Sequence, residues 1–343
     1  MINIKMIVIA AVMFVSSALY ADTSISMMLG DVKIQSQGST AWQGVKSGQK
    51  IKTGDTIQTG AGSFAEINTN ENTIRIQPKT KVKFGSTIVG NKPQSTLAVF
   101  AGSVNCKMDK LKKNNEKFNV NTASAVCAVR GTEFDVASGA DGQTVLQVTE
   151  GAVEFEGLNS SVLVAKNQES TVAIGGNPEP VKIIKRKDWE KWADESSSDV
   201  KGKEPAIIDG CLAKVRKLDS DIKQLEKERD DAKAEFRKLG EESKTAKASG
   251  DSRKASELAR AAEVKRVQSV SKNSIAFYQA SRIELVKNVA DNAFESSEAK
   301  DSIKGPYDEI CEIYTMRFNA YIKPILDEAQ IRQEIRDKKK KKN

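Results

Sequence analysis

Near residue 180 the spacing of apolar residues changes, and no single architecture accommodates both halves of the chain. From about residue 25 to 175 apolar and polar residues alternate in short runs, "TIRIQ", "KVKF", "EFDV" and "AVEFE", with the period of two that a half-buried strand demands. Glycine- and asparagine-rich turns such as "TGAGS", "GNKP" and "GADGQ" separate these runs. Past "GGNPEPV" the glycines thin out and Lys, Glu, Ala and Leu take over. There Cys211, Val215, Leu218, Ile222, Leu225, Arg229, Ala232, Phe236 and Leu239 step by four and three, a heptad seam with one charged interruption. The expected class is α+β in segregated domains. An all-β unit over 25–175, solenoid-like or sandwich-like, leads through a linker over 176–204 to an antiparallel helical bundle or coiled coil over 205–343.

Three stretches of the β half share one pattern: "ISMMLGDVKI" at 25–34, "LAVFAGSVNC" at 97–106 and "LQVTEGAVEF" at 146–155. Each reads as two short strands meeting at a glycine, Gly30, Gly102 or Gly151, which suits a bulge or corner where backbones pass closely. The alternation sends Val32, Val104 and Val153 to one face, and puts Cys106 at the inward position held elsewhere by Ile34 and Phe155. A recurring corner fits a coiled β architecture or a sandwich of hairpins.

In the helical half a second run spans about Asp251 to Ile303, and "GPYDEI" restarts a third helix, with Gly305 as a stop and Pro306 in the first turn. Trp189 and Trp192, three apart on a short helix, are expected to dock onto the β unit and fix the linker. The chain ends in a lysine run, Lys338–Lys342, that reads as a contact for an anionic membrane surface or as a solvated end.

The sequence has no histidine, which removes the usual general base and the commonest nitrogen ligand for metals. No spacing calls for a catalytic residue, cofactor or metal. The first twenty-one residues, "MINIKMIVIAAVMFVSSALYA", have the layout of a secretory signal peptide, with an uncleaved membrane anchor as the alternative. Export makes the four cysteines candidates for disulfides. A Cys106–Cys127 bridge is expected, with two buried thiols as the alternative. If the first and third helices run parallel from Pro205 and Pro306, Cys211 and Cys311 sit at equal height, and a bridge between them is expected.

"AVRGTEFDV" puts a charge, Arg130, within a strand-like run. Gly131 permits a sharp turn, Thr132 can bond backbone groups in it, and the guanidinium can tie carbonyls to a carboxylate, with Glu133 and Glu150 as acceptors. The expected role is structural, an internal staple.

From Gly30 to Phe155 the chain resembles the FecR domain of bacterial envelope proteins. "VKSGQKIKTGDTIQTGAGSFAEI", "IRIQPKT", "LAVFAGSV", "FNVNTASAVCAVRGTEFDV" and "LQVTEGAVEF" follow that family's order, with Ala123 where the family often has proline. In the namesake regulators such a domain reads an iron-uptake signal in the periplasm and passes it through a membrane helix to control a sigma factor. Only Met1 to Lys5 precede the apolar run here, so the expectation is an exported, non-enzymatic binding or scaffold module of the periplasm or cell envelope. Its expected partners are an envelope protein or anionic cell-surface polymer rather than nucleic acid, with self-association through the coiled coil. The alternatives are a FecR-type signalling regulator of an iron or stress response anchored in the inner membrane, and a cell-wall-directed enzyme.

Overall fold

A computed structural model describes residues 23–69, 72–89, 92–108, 118–129 and 131–340. The signal-peptide segment 1–21, most of the basic loop 107–117, Arg130 and the last two lysines lie outside them.

Two β-sheets share one core. The first sheet joins β1 (Ser24–Leu29), β5 (Phe64–Thr69), β6 (Asn72–Ile76), the second half of β8 (Lys92–Lys107), β11 (Glu133–Ser138), β12 (Thr144–Glu150), β15 (Gln168–Val172) and β16 (Lys182–Ile183). The second joins β3 (Gln43–Gly44), β2 (Val32–Gln35), β4 (Thr56–Thr59), β7 (Lys81–Val89), the first half of β8, β9 (Phe118–Asn121), β10 (Val126–Val129), β13 (Ala152–Glu156) and β14 (Ser161–Ala165). Neighbours pair antiparallel except β8 and β9, which run parallel. Inward-facing residues line up across strands: Ile25, Ile67, Ile74, Cys106 and Phe134 in the first sheet, and Phe84, Leu97, Val120, Cys127 and Phe155 in the second. All of them are fully buried in a single core.

The recurring glycines are where the chain leaves one sheet for the other. Gly102 sits at φ +85° in the middle of β8, whose earlier residues pair in the second sheet and whose later ones pair in the first. A Cβ there would lie 2.2 Å from Thr80 Oγ1 and 2.6 Å from the Lys79 carbonyl oxygen, so only glycine fits. Gly30 (φ +77°) between β1 and β2, and Gly151 (φ +83°) between β12 and β13, make the equivalent crossings.

The helical half begins with α1 (Trp189–Ser198), capped by Asp188, whose carboxylate accepts from the Glu190 and Lys191 amides at 3.1 Å. Then α2 (Glu204–Ala248) and α3 (Ser252–Ser296), each of 45 residues, form an antiparallel hairpin. "SGD" makes its tip. The Asp251 amide bonds the Ala246 carbonyl, the Gly250 amide (φ +82°) bonds that of Lys247, and the Asp251 side chain caps α3 through the Lys254 amide. The seam residues Cys211, Val215, Leu218, Ile222 and Ala232 are buried.

A third helix, α4 (Lys300–Arg317), runs parallel to α2, tied by Arg216–Glu309, Asp219–Arg317 and Glu226–Arg317. It passes through a π-helical turn at Phe318–Ile322 into α5 (Lys323–Lys340). The helix does not start at Pro306, which lies six residues inside it. The carbonyl left without an amide partner there belongs to Ser302, an exposed residue, so the loss is slight. No helix of the described residues is long and apolar enough to cross a membrane.

Neither expected disulfide is present; all four cysteines are free. Cys106 and Cys127 lie in opposite sheets, each fully buried in the shared core as a free thiol. Between α2 and α4 the paired residues differ in number by 91 to 98, against 100 for Cys211 and Cys311. The early start of α4 thus displaces Cys311 along the bundle by several residues, at about 1.5 Å each.

Candidate functional site

Residues 131–133 belong to a crossing between sheets. Gly131 has φ +62°, and Thr132, 2% exposed, accepts the Met108 amide on its carbonyl at 2.9 Å. At two of the three glycine crossings, those of Gly30 and Gly102, the residue after the corner glycine donates its amide to a hydroxyl on the neighbouring turn: Asp31 to Ser63 Oγ and Ser103 to Thr80 Oγ1, each at 2.9 Å. At the third, Thr132 turns its methyl toward Gly151, and its hydroxyl has no partner among the described residues. Glu133 and Glu150 lie opposite each other across β11 and β12. Glu133 meets Lys107 at 3.9 Å, and its carbonyl accepts from Thr149 at 2.9 Å.

The outer face of the first sheet carries a row of polar side chains that no local motif announces. Strand register places Glu66 beside Arg75, Arg75 beside Asn105, Asn105 beside Asp135, Asp135 beside Gln147 and Gln147 beside Glu169. Alternation within "TIRIQ" and "EFDV" turns Arg75 and Asp135 outward, while the apolar residues on either side fill the core. Asn105 Nδ2 donates to Asp135 at 3.1 Å, and Gln147 Nε2 donates to Glu169 at 2.6 Å and to the Lys185 carbonyl at 2.7 Å. At the far end of the row Ser26 Oγ donates to Glu66 at 3.2 Å, and the Arg75 guanidinium lies 4.2 Å above the Phe64 ring.

Asp135, inside the row, and Glu169, at its end, differ in environment. Burial pushes the Asp135 carboxyl up, the Asn105 hydrogen bond opposes this, and the Glu133 charge adds to it. Burial acts upward on Glu169 too, but the Lys185 amide, Gln147 and Lys187 bond its charged form and hold it below the ordinary range.

Helix α1 lies against turns of the β unit. The Gly62 amide donates to Glu190 at 3.1 Å, Lys79 pairs with Asp194 at 2.7 Å, and the Ala140 amide donates to Ser196 at 3.3 Å, pinning α1 to three turns of the β unit. Trp189 and Trp192 pack edge to face with ring centroids 5.8 Å apart. Gln147 is buried beneath the Lys185 backbone, so the open stretch of the row runs from Glu66 through Arg75 and Asn105 to Asp135. That arrangement suits hydrogen bonding to an extended polar partner.

The outer face of the second sheet is covered instead. Phe100 and Ala123 join Ile208, Leu212, Ile283 and Val289 in a second apolar core under the helices. Polar ties fasten this contact: Lys83–Glu284 at 2.9 Å, the Ile88 amide to Ser274 Oγ at 2.8 Å, and Tyr278 hydroxyl to Asn121. Lys214, 2% exposed, donates to the carbonyls of Ser124 (3.1 Å) and Gly157 (2.9 Å). Its ammonium is held down at about 7, first by burial and then by the Arg282 charge.

The family described as FecR protein matches residues 55–154, which run from the start of β4 into β13 and include five of the six residues of the polar row. No curated protein matches the chain. Among solved structures it is similar to two crystal structures of a candidate anti-sigma factor from Parabacteroides distasonis. One is 16% identical with a TM-score of 0.33, and the other is 17% identical with a TM-score of 0.32. Each likeness covers 40% of this chain, which spans 63% and 62% of the lengths of those two structures.

Proposed function

We propose that this chain is a FecR-type signalling regulator of the cell envelope. Its β unit reads a partner on the outer row of the first sheet, and its helices, docked on the second sheet, carry the response. The observation that supports this most is the FecR match at 55–154, which falls inside the sandwich and spans both its covered and its open face. The reading places the β unit in the periplasm, with segment 1–21 as leader or anchor, and makes the partner an envelope protein. Arg130 keeps its proposed role as a structural staple. No residue is assigned catalytic work.

Transcript profiles of cells with and without the chain, grown with iron plentiful and scarce, test the reading. The expected result is a defined set of genes that moves with the chain and stops responding in an Asp135→Arg variant present at normal level. Identical profiles with and without the chain would overturn it and favour a non-signalling scaffold.

A further inference from the structure

Between the second sheet and the helices lies a cavity of about 100 Å³, lined from the β side by Ala98, Phe100 and Asn121 and from the helical side by Tyr278, Arg282 and Ile322. Arg282 is 6% exposed. One of its donors reaches Gln279 Oε1 at 2.8 Å, its guanidinium lies 5.9 Å from the Tyr278 ring, and it has no carboxylate partner among the described residues. The one carboxylate among the lining residues, Glu284, is engaged by Lys83. Lys214, the nearby buried cation, spends its donors on backbone carbonyls. Glu156, an exposed residue, contributes negative charge to this interface, and two buried cations stand against it. Arg282 lines the cavity, and guanidinium donors that face it are met there by water or by an anion.

We infer that this cavity is a binding site for a small carboxylate, held by Arg282 with its short apolar tail among Phe100, Phe277, Leu285 and Ile322. A planar guanidinium bonds a carboxylate through two parallel N–H donors, which favours that anion over a tetrahedral one here. The apolar lining gives an acyl chain a place and offers a fully hydrated anion little. Size sets the upper limit: a dry cavity of about 150 Å³ takes benzene, so this one takes a chain of about four carbons. Because the lining comes from the FecR match and from α3 and the π-helical turn together, an occupant touches both halves of the molecule. The inference concerns binding alone and stands whether or not the chain regulates transcription.

Sodium butyrate titrated into the full chain, followed by saturation-transfer NMR and by melting temperature, is the test. Saturable binding with a raised melting temperature is expected, weakened at least about tenfold in Arg282→Gln. Ala98→Leu, which fills the cavity and leaves the guanidinium in place, is expected to abolish binding, and it keeps the test alive should Arg282→Gln fail to fold. Absence of saturable butyrate binding, unchanged binding in Ala98→Leu, or inorganic phosphate binding as tightly as butyrate would each overturn the assignment.

Discussion

Lys214→Met isolates what one buried ammonium does to stability. In the unfolded chain this lysine keeps its proton up to its ordinary 10.5; in the folded chain burial and Arg282 bring release down to about 7. Between those values unfolding takes up a proton, so raising the pH opposes unfolding and folded stability climbs by up to about 1.4 kcal/mol per pH unit. From about pH 7.5 to about 9.5 the gain attributable to Lys214 comes to about 2.5 kcal/mol. Methionine has a similar length and no charge. It leaves the Ser124 and Gly157 carbonyls without their donor, an offset of about 1–3 kcal/mol that does not change with pH. Urea denaturation of both proteins across this range, followed by far-UV circular dichroism, gives the difference in stability at each pH, and taking the difference cancels the tyrosines and cysteines that also titrate. The variant should lose ground to the natural chain as pH rises, by about 2.5 kcal/mol over the range. Stability curves that stay parallel would refute the assignment of a low ammonium value to this buried site.

Gly102→Ala, where the new Cβ meets Thr80 and Lys79, should destabilise the β unit by about 3 kcal/mol or more, whereas Gly62→Ala, at φ +62° with nothing within 4 Å, should cost about 1–2 kcal/mol in the same denaturation assay. Arg317→Met removes the guanidinium that reaches Asp219 at 2.7 Å and Glu226 at 3.0 Å, and should cost about 2–4 kcal/mol at neutral pH. Burial pushes the Asp219 carboxyl up, but Lys223 and Arg317 overcome this and hold it low, so its stabilisation is present above the ordinary carboxylate range and lost as acid carries the pH through the lowered value. In the variant Asp219 keeps only Lys223, its folded value moves back toward the unfolded one, and the stability lost on acidification should be smaller, which acid titration followed by circular dichroism checks. Thiol counting on unreduced protein should find all four cysteines after denaturation, with Cys106 and Cys127 unreactive beforehand because burial pushes both thiols up; a count of two would restore a bridge.

Much of the architecture is local and therefore legible along the chain. A period of two forces one face of a strand inward, a four-and-three step forces a helical seam, and glycine in "AGS", "EGA" and "SGD" marks crossings and a tip that other residues enter only with strain. The polar row is different. Arg75, Asn105, Asp135 and Gln147 are each an ordinary outward residue of an alternating strand. Only the register of strands far apart in sequence makes them neighbours. Cysteine geometry failed for a related reason: a proline marks where a helix can begin, yet α4 starts six residues earlier, and bundle register follows the packing rather than the proline. Lys214 and Arg282 lie beside apolar seam positions and read as solvated flank residues on an isolated helix. It is the docking of the helices on the second sheet that buries them, because the flank of a helix hairpin faces water or protein according to what the rest of the chain lays against it.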